Sequence, residues 1–92
     1  MILEELEAVL RDRRTADPTE SYTASLLADP ELIQRKIMEE AFEVCLELGR
    51  RDLDPTLTAQ EAADLVYHLL VGLVGADVAL ADVLAVLESR RS

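Results

Sequence analysis

At 92 residues the chain suffices for one domain, 1–92, with a modest core of the kind often completed by oligomerisation. Its formal charge of −10 excludes nucleic acid and anionic membranes as bulk partners, but leaves phosphate substrates open, because a bound metal reverses the sign of a local site. The lone Cys45 rules out an intrachain disulfide, and no basic segment precedes an apolar run at the N-terminus; both lead to the expectation of a reducing, cytoplasmic setting.

Half of the residues are hydrophobic, only three are aromatic (Tyr22, Phe42, Tyr67), and Ala, Leu and Val alternate with Glu and Arg. That composition favours helices, and the chain in order resolves into four to five of them, an all-α fold. In residues 2–13, Ile2, Leu3, Leu6, Val9 and Leu10 share one helical face. Acids at the start of this stretch and Arg11, Arg13 and Arg14 at its end match the helix dipole. A polar connector follows over 15–20, where Asp17-Pro18 reads as a cap and first-turn pair. Residues 21–27 form a short helix. Asp29-Pro30 opens a long one that runs to about Leu48, with Gly49 as its stop. Residues 50–56 turn the chain. Thr58 with Glu61 reads as a capping box opening the next helix, which ends near Gly75. Beyond Asp64 this helix is apolar on nearly every side, and such a helix must be covered on every side. One subunit has too few helices to do that, which predicts a dimer or higher assembly. The last helix, about 80–90, gathers Leu80, Val83, Leu84 and Leu87 on one face. The run from Leu65 to Ala76 is interrupted by His68 and is too short to span a bilayer. Cys45 follows the apolar periodicity and is expected in the core.

The chemistry lies in two pairs of acids, Glu40 with Glu43 and Glu61 with Asp64, each three residues apart and so on one side of a helix. Seventeen residues separate Glu43 from Glu61, enough to finish one helix and turn, so an antiparallel hairpin brings the four acids together. With Ile33 as the origin and about 100° per residue, Ile37 falls near +40°, Val44 near +20° and Glu40 near −20°. Glu40 therefore sits inside the apolar stripe, with Lys36, Glu43 and Glu47 along its edge. A buried, unpaired carboxylate is costly, and neighbouring acids raise one another's pKa. A hard divalent cation removes both penalties, and ligands that are all oxygen suit Mg²⁺ or Mn²⁺. Either pair alone is a weak signal, since glutamate is common on helix surfaces. His68 lies on the side of Glu61 and Asp64, and as ligand, proton carrier, phosphate contact or satisfied core histidine it has four open roles. Lys36 is placed to pair with Glu40 or to meet a phosphate. Arg35, Arg50 and Arg51 read as solvated. Such a site binds polyphosphates through the metal and suits attack of water on a phosphoanhydride, with Glu39 or Glu43 free to take the proton.

Three segments carry a resemblance: Ser21-Tyr22-Thr23-Ala24-Ser25-Leu26-Leu27, Lys36 to Val44 with its EExxE pattern, and Glu61 to Leu70 with ExxD followed by DLxYHLL. The tail from Asp82 to Arg91 also agrees in order and spacing. On these residues the chain resembles the all-α nucleoside triphosphate pyrophosphatases, the MazG-like superfamily, and within it the phosphoribosyl-ATP pyrophosphatases of histidine biosynthesis. The resemblance implies the bundle fold of that superfamily, completed by dimerisation, and a nucleotide-binding hydrolase acting on the ATP moiety of its substrate. The products it implies are phosphoribosyl-AMP and pyrophosphate. By the same resemblance Glu40, Glu43, Glu61 and Asp64 hold Mg²⁺, and Glu39 is an accessory acid. Lys36 contacts phosphate or pairs with the acids, and Tyr22 and Thr23 touch substrate or a neighbouring subunit. His68 is carried along as a substrate-side residue. Met38 stands where the family often has Gly, and Ala28-Asp29-Pro30 where it often has a glycine-containing turn. With no cyclohydrolase domain in these residues, the next pathway step falls to another protein. Two other readings compete: a house-cleaning nucleoside triphosphate pyrophosphatase, from which the SYTxxLL segment leans away, and a non-enzymatic helical dimerisation module whose acids are a solvated face.

Overall fold

The computed structural model describes residues 1–91. Five α-helices follow one another: α1 (Ile2–Asp12), α2 (Tyr22–Leu27), α3 (Pro30–Leu48), α4 (Pro55–Gly75) and α5 (Leu80–Arg90), with a 3₁₀ turn at Arg13–Thr15. No strand occurs among the described residues, and no single helix is long and apolar enough to cross a membrane.

Local chemistry explains where the helices begin. Ser21 Oγ accepts the Ala24 N–H at 3.1 Å and caps α2. Asp29 accepts the Leu32 N–H at 3.2 Å ahead of Pro30, whose fixed φ and missing N–H suit the first helical position. The same Asp-Pro device opens α4: Asp54 Oδ1 accepts the N–H groups of Thr56 and Leu57 at 2.9 and 3.3 Å. This corrects the expected capping box. Thr58 lies inside the helix, its hydroxyl bonded back to the Asp54 carbonyl, and Glu61 is left free for another purpose. Asp17 likewise caps no helix. It accepts from both the N–H and the hydroxyl of Thr19 and holds an isolated turn.

The antiparallel pair α3 and α4 makes the dominant helix contact. Gly72 lets the two approach: a Cβ there would stand 3.1 Å from Ile37 Cδ1 and 3.2 Å from Ile33 Cγ2. Around the C-terminal half of α4 every helix adds to one core of Leu10, Leu26, Ile33, Leu70, Val71, Val74 and Leu80. Leu10, Leu26, Val71 and Val74 are fully enclosed, each worth about 1.5–3 kcal/mol of transfer free energy.

The corner between α4 and α5, which leave one another at 116°, is held by α1. Asp77 takes a left-handed conformation with φ 58°, while Val78 donates to the Leu73 carbonyl and Asp77 to that of Val74, closing a Schellman turn. Arg11 and Arg14 reach the Asp77 carboxylate at 3.2 and 3.4 Å and hold it below the usual carboxylate range, chiefly through hydrogen bonds. Arg14 also donates to the Val74 carbonyl. Ala79 has no side-chain oxygen with which to cap α5, so Glu7 of α1 accepts the Leu80 N–H at 2.7 Å instead.

The chain leaves much apolar surface in solvent. Met38, Phe42 and Leu46 form an exposed row on α3, and Val66 and Leu69 are exposed on α4. Cys45, expected in the core, is exposed beside that α3 row, because none of the described elements covers this face.

Candidate functional site

The α3–α4 hairpin brings acids from both arms together near its turn. Carboxylate oxygens of Glu40, Glu43 and Glu61 all lie within 4.8 Å of one another. Glu40, placed inside the apolar stripe by its wheel position, is the most enclosed of the three, with a side chain 14% exposed. Its Oε2 is buried with no hydrogen-bond partner among the described residues. Burial first, then the charge of Glu43 and a hydrogen bond shared with it, push the Glu40 carboxyl above its ordinary pKa. Glu61 is also pushed up, mainly by a hydrogen bond shared with Glu43. Burial and the acids around them thus bias Glu40 and Glu61 towards their protonated forms. An orphaned buried oxygen and three mutually opposed carboxylates are the donor set that a hard cation satisfies.

The other residues singled out in the sequence fall around this trio. Asp64 is exposed, and its carboxylate is not among the three. Its charge still helps to raise Glu40 and Glu61. Glu39 is exposed and pairs at 3.5 Å with Lys36, which thus meets Glu39 rather than Glu40. Glu47, on the stripe's edge, is buried and held at 3.0 Å by Arg50, whose own side chain stays in solvent as expected.

His68 is buried in α4 with both ring nitrogens engaged. Nδ1 lies 2.8 Å from the Asp64 carbonyl and Nε2 lies 2.9 Å from the Tyr22 hydroxyl. A carbonyl only accepts, so Nδ1 carries the proton; in the neutral ring Nε2 then accepts, and Tyr22 donates. Nδ1 also stands 4.0 Å from Glu40 Oε1. A substrate contact through His68 requires one of these internal bonds to be exchanged. Burial, ahead of the surrounding charges, raises the Tyr22 hydroxyl above its ordinary pKa, which suits a donor. Next to it, Thr23 shares a hydrogen bond with the Tyr67 hydroxyl. The Tyr22 and Tyr67 rings lie nearly parallel at 6.3 Å, and His68 meets both edge-on. Tyr67 thus ties α2 to the stretch of α4 that carries His68. The signal is non-local: it depends on α2 docking against α4.

Fold and site together define an all-α bundle whose central antiparallel helix pair concentrates carboxylates from both arms. The sequence pattern of the family described as phosphoribosyl-ATP pyrophosphohydrolase matches residues 3–91. The chain is 50% identical over 93 residues to the phosphoribosyl-ATP pyrophosphatase of Roseobacter denitrificans, an alignment that spans 100% of this chain and 87% of that one. Identity is 50% over 90 residues to the enzyme of the same name from Cereibacter sphaeroides, covering 97% of this chain and 85% of the other. For that of Dinoroseobacter shibae it is 51% over 90 residues, covering 97% and 86%. The chain belongs to the phosphoribosyl-ATP pyrophosphohydrolase family.

Proposed function

We propose that this chain hydrolyses phosphoribosyl-ATP to phosphoribosyl-AMP and pyrophosphate, the second step of histidine biosynthesis, as a single-domain enzyme that uses Mg²⁺, or Mn²⁺ in its place. Membership of the family over nearly the whole chain supports the reaction. The observation that carries the chemistry is the trio Glu40, Glu43 and Glu61 with its orphaned Glu40 oxygen. These three, with Asp64 one helical turn beyond Glu61, are the residues that would hold the metal. A bound divalent cation neutralises charge on phosphoryl oxygens and lowers the pKa of a coordinated water.

The chain's own groups do the rest. Glu43, flanked by acids, and Glu39, outside the trio, are the candidates to accept the water's proton as the bond between the α- and β-phosphates breaks. Lys36 offers the nearby positive charge for a phosphate, exchanging its pairing with Glu39. Tyr22, half in solvent, and Thr23 flank the same wall as the substrate-side residues proposed from the sequence.

The working form is a homodimer in the cytoplasm. An accessible surface of 6485 Å² exceeds by about 1,200 Å² the roughly 5,300 Å² expected of a compact chain of this mass, an excess on the scale of one partner's share of a stable interface. The radius of gyration, 14.6 Å, is likewise above the roughly 12 Å of a compact domain of this length. The exposed apolar rows of α3 and α4 are the surface such a partner would cover.

The test is a substrate panel with Mg²⁺ followed by phosphorus NMR. Phosphoribosyl-AMP and pyrophosphate should form from phosphoribosyl-ATP. Faster hydrolysis of ordinary deoxynucleoside triphosphates would move the chain to the house-cleaning class, and no turnover with metal present would leave it a helical dimerisation module.

A further inference from the structure

We infer that α5 is an arm that each subunit lends to a second copy of the chain, its apolar stripe seated in an open groove between α2, α3 and α4; this rests on the homodimer proposed above. Leu80, Val83, Leu84 and Leu87 recur at helical spacing and so lie on one side of α5. The stripe begins inside its own subunit, where Leu80 is buried and Leu84 packs against the edge of the core. It ends outside, with Leu87 59% exposed. The more extensive helix contacts all fall among the elements that precede α5. The arm is also kept from folding back, because it leaves α4 at 116° and its corner is fixed by the left-handed Asp77 together with Glu7, Arg11 and Arg14. An apolar stripe that outruns its own core calls for a second surface.

The groove has the matching character. It holds about 300 Å³, with Leu27, Ile33, Ile37, Leu69 and Leu73 among its walls and Gln34 as the single polar side chain there. A small-molecule site orients its ligand with several placed polar groups, which this groove lacks, whereas valine and leucine side chains need none. Leu69 also belongs to the exposed α4 row, so the groove is continuous with the surface assigned to the subunit contact. Gly75 and Ala76 line it just before α5 begins at Leu80. Arm and groove thus start from the same corner, and a two-fold axis beside that corner lets both arms cross at once, as in an isologous dimer. The surplus accessible surface of about 1,200 Å² is on the scale that arm and row together would bury.

The experiment measures the dimer Kd of the full chain by sedimentation equilibrium. Leu87→Asp puts a charge at the exposed end of the stripe; a two-fold dimer loses that contact twice, and about tenfold for each copy raises Kd about a hundredfold. Gly75→Leu tests the other half. A Cβ there meets Leu27 Cδ2 at 3.6 Å and Ile33 Cδ1 at 3.8 Å, ordinary contact distances, so the new side chain fills the groove without displacing the core. It should raise Kd by about tenfold or more. Ala85→Asp, the same charge on the opposite side of α5, should stay within about threefold of the wild type. Thermal melts at low protomer concentration establish that each variant is folded. An unchanged Kd in Leu87→Asp leaves the groove to another occupant and overturns the inference; an unchanged Kd in Gly75→Leu seats the arm elsewhere and does the same. An equal rise in Ala85→Asp also overturns it, reducing the effect to added charge on a chain of net −10. In those three cases the homodimer stands. A wild type that sediments as a monomer at every concentration removes the homodimer itself, and the arm with it.

Discussion

Replacing Glu40 by Gln tests the site with opposite signs in two conditions. In the metal-free protein the substitution removes a buried charge, one oxygen of which has no partner, and gives Glu43 an amide donor where it now meets a carboxylate. An unsatisfied buried polar group costs about 1–3 kcal/mol, and the new amide recovers part of that, so a gain of about 1–2 kcal/mol is expected. In a domain of this size 1 kcal/mol moves Tm by about 4–8 °C, which puts the variant roughly 4–16 °C above the wild type in EDTA. Saturating Mg²⁺ reverses the order. At a hundred times Kd a ligand adds about 2.7 kcal/mol to the native state, roughly 11–22 °C for the wild type, and the variant should gain little of it. The assay is a pair of thermal melts at fixed protomer concentration, with turnover measured in parallel; the rate should fall at least a hundredfold. A solvated acidic face also allows a variant that is stable without metal, so the Mg²⁺ arm discriminates. The reasoning is refuted if Glu40→Gln melts below the wild type in EDTA, or if Mg²⁺ lifts both proteins equally.

The pH dependence of the metal-free fold follows from the same acids. Glu40 and Glu61 have folded pKa values raised above the ordinary 4.5, so the native state binds more protons than the unfolded chain between that value and the raised ones. Their contribution to stability is complete below the ordinary value and is lost as pH rises through the folded values. Melts in EDTA should therefore fall as pH rises above the ordinary 4.5, and Glu40→Gln should flatten the slope. Gly72→Val adds three carbons where even a Cβ stands 3.1 and 3.2 Å from isoleucines of α3; overpacking costs about 1–3 kcal/mol, so Tm should drop by roughly 4–24 °C. Turnover should fall with it, because the arms that carry the acids are pushed apart. Phe42→Asp, in the middle of the exposed α3 row, should turn a dimer into monomers by size-exclusion chromatography with light scattering; an unchanged mass would place the subunit contact elsewhere.

Local signals in this chain are legible where a residue acts on its own helix and has no rival nearby. Asp29-Pro30 marks the start of α3, and the wheel position of Glu40 anticipates its enclosure. At Asp54 the same Asp-Pro pair competes with Thr58 and Glu61, two cap signatures four residues apart of which only one can be used. Spacing placed Glu61 and Asp64 on one side of a helix, but a shared side does not determine where a flexible carboxylate points, and Asp64 stands outside the trio. Cys45 and Phe42 obey the apolar period without being covered, since periodicity reports which face is greasy and not which chain hides it. The bonds from Tyr22 to His68 and from Thr23 to Tyr67 join residues more than forty positions apart, and no local pattern encodes them.

The α4–α5 corner has a consequence for anyone shortening this chain. Glu7, Arg11 and Arg14 lie on the first helix and its 3₁₀ extension, yet what they brace is the last one, by way of Asp77 and the Leu80 N–H. The two ends of the polypeptide act as one latch. Trimming the opening helix would leave the closing helix without its brace and free to swing, so a deletion at one end would be felt at the other.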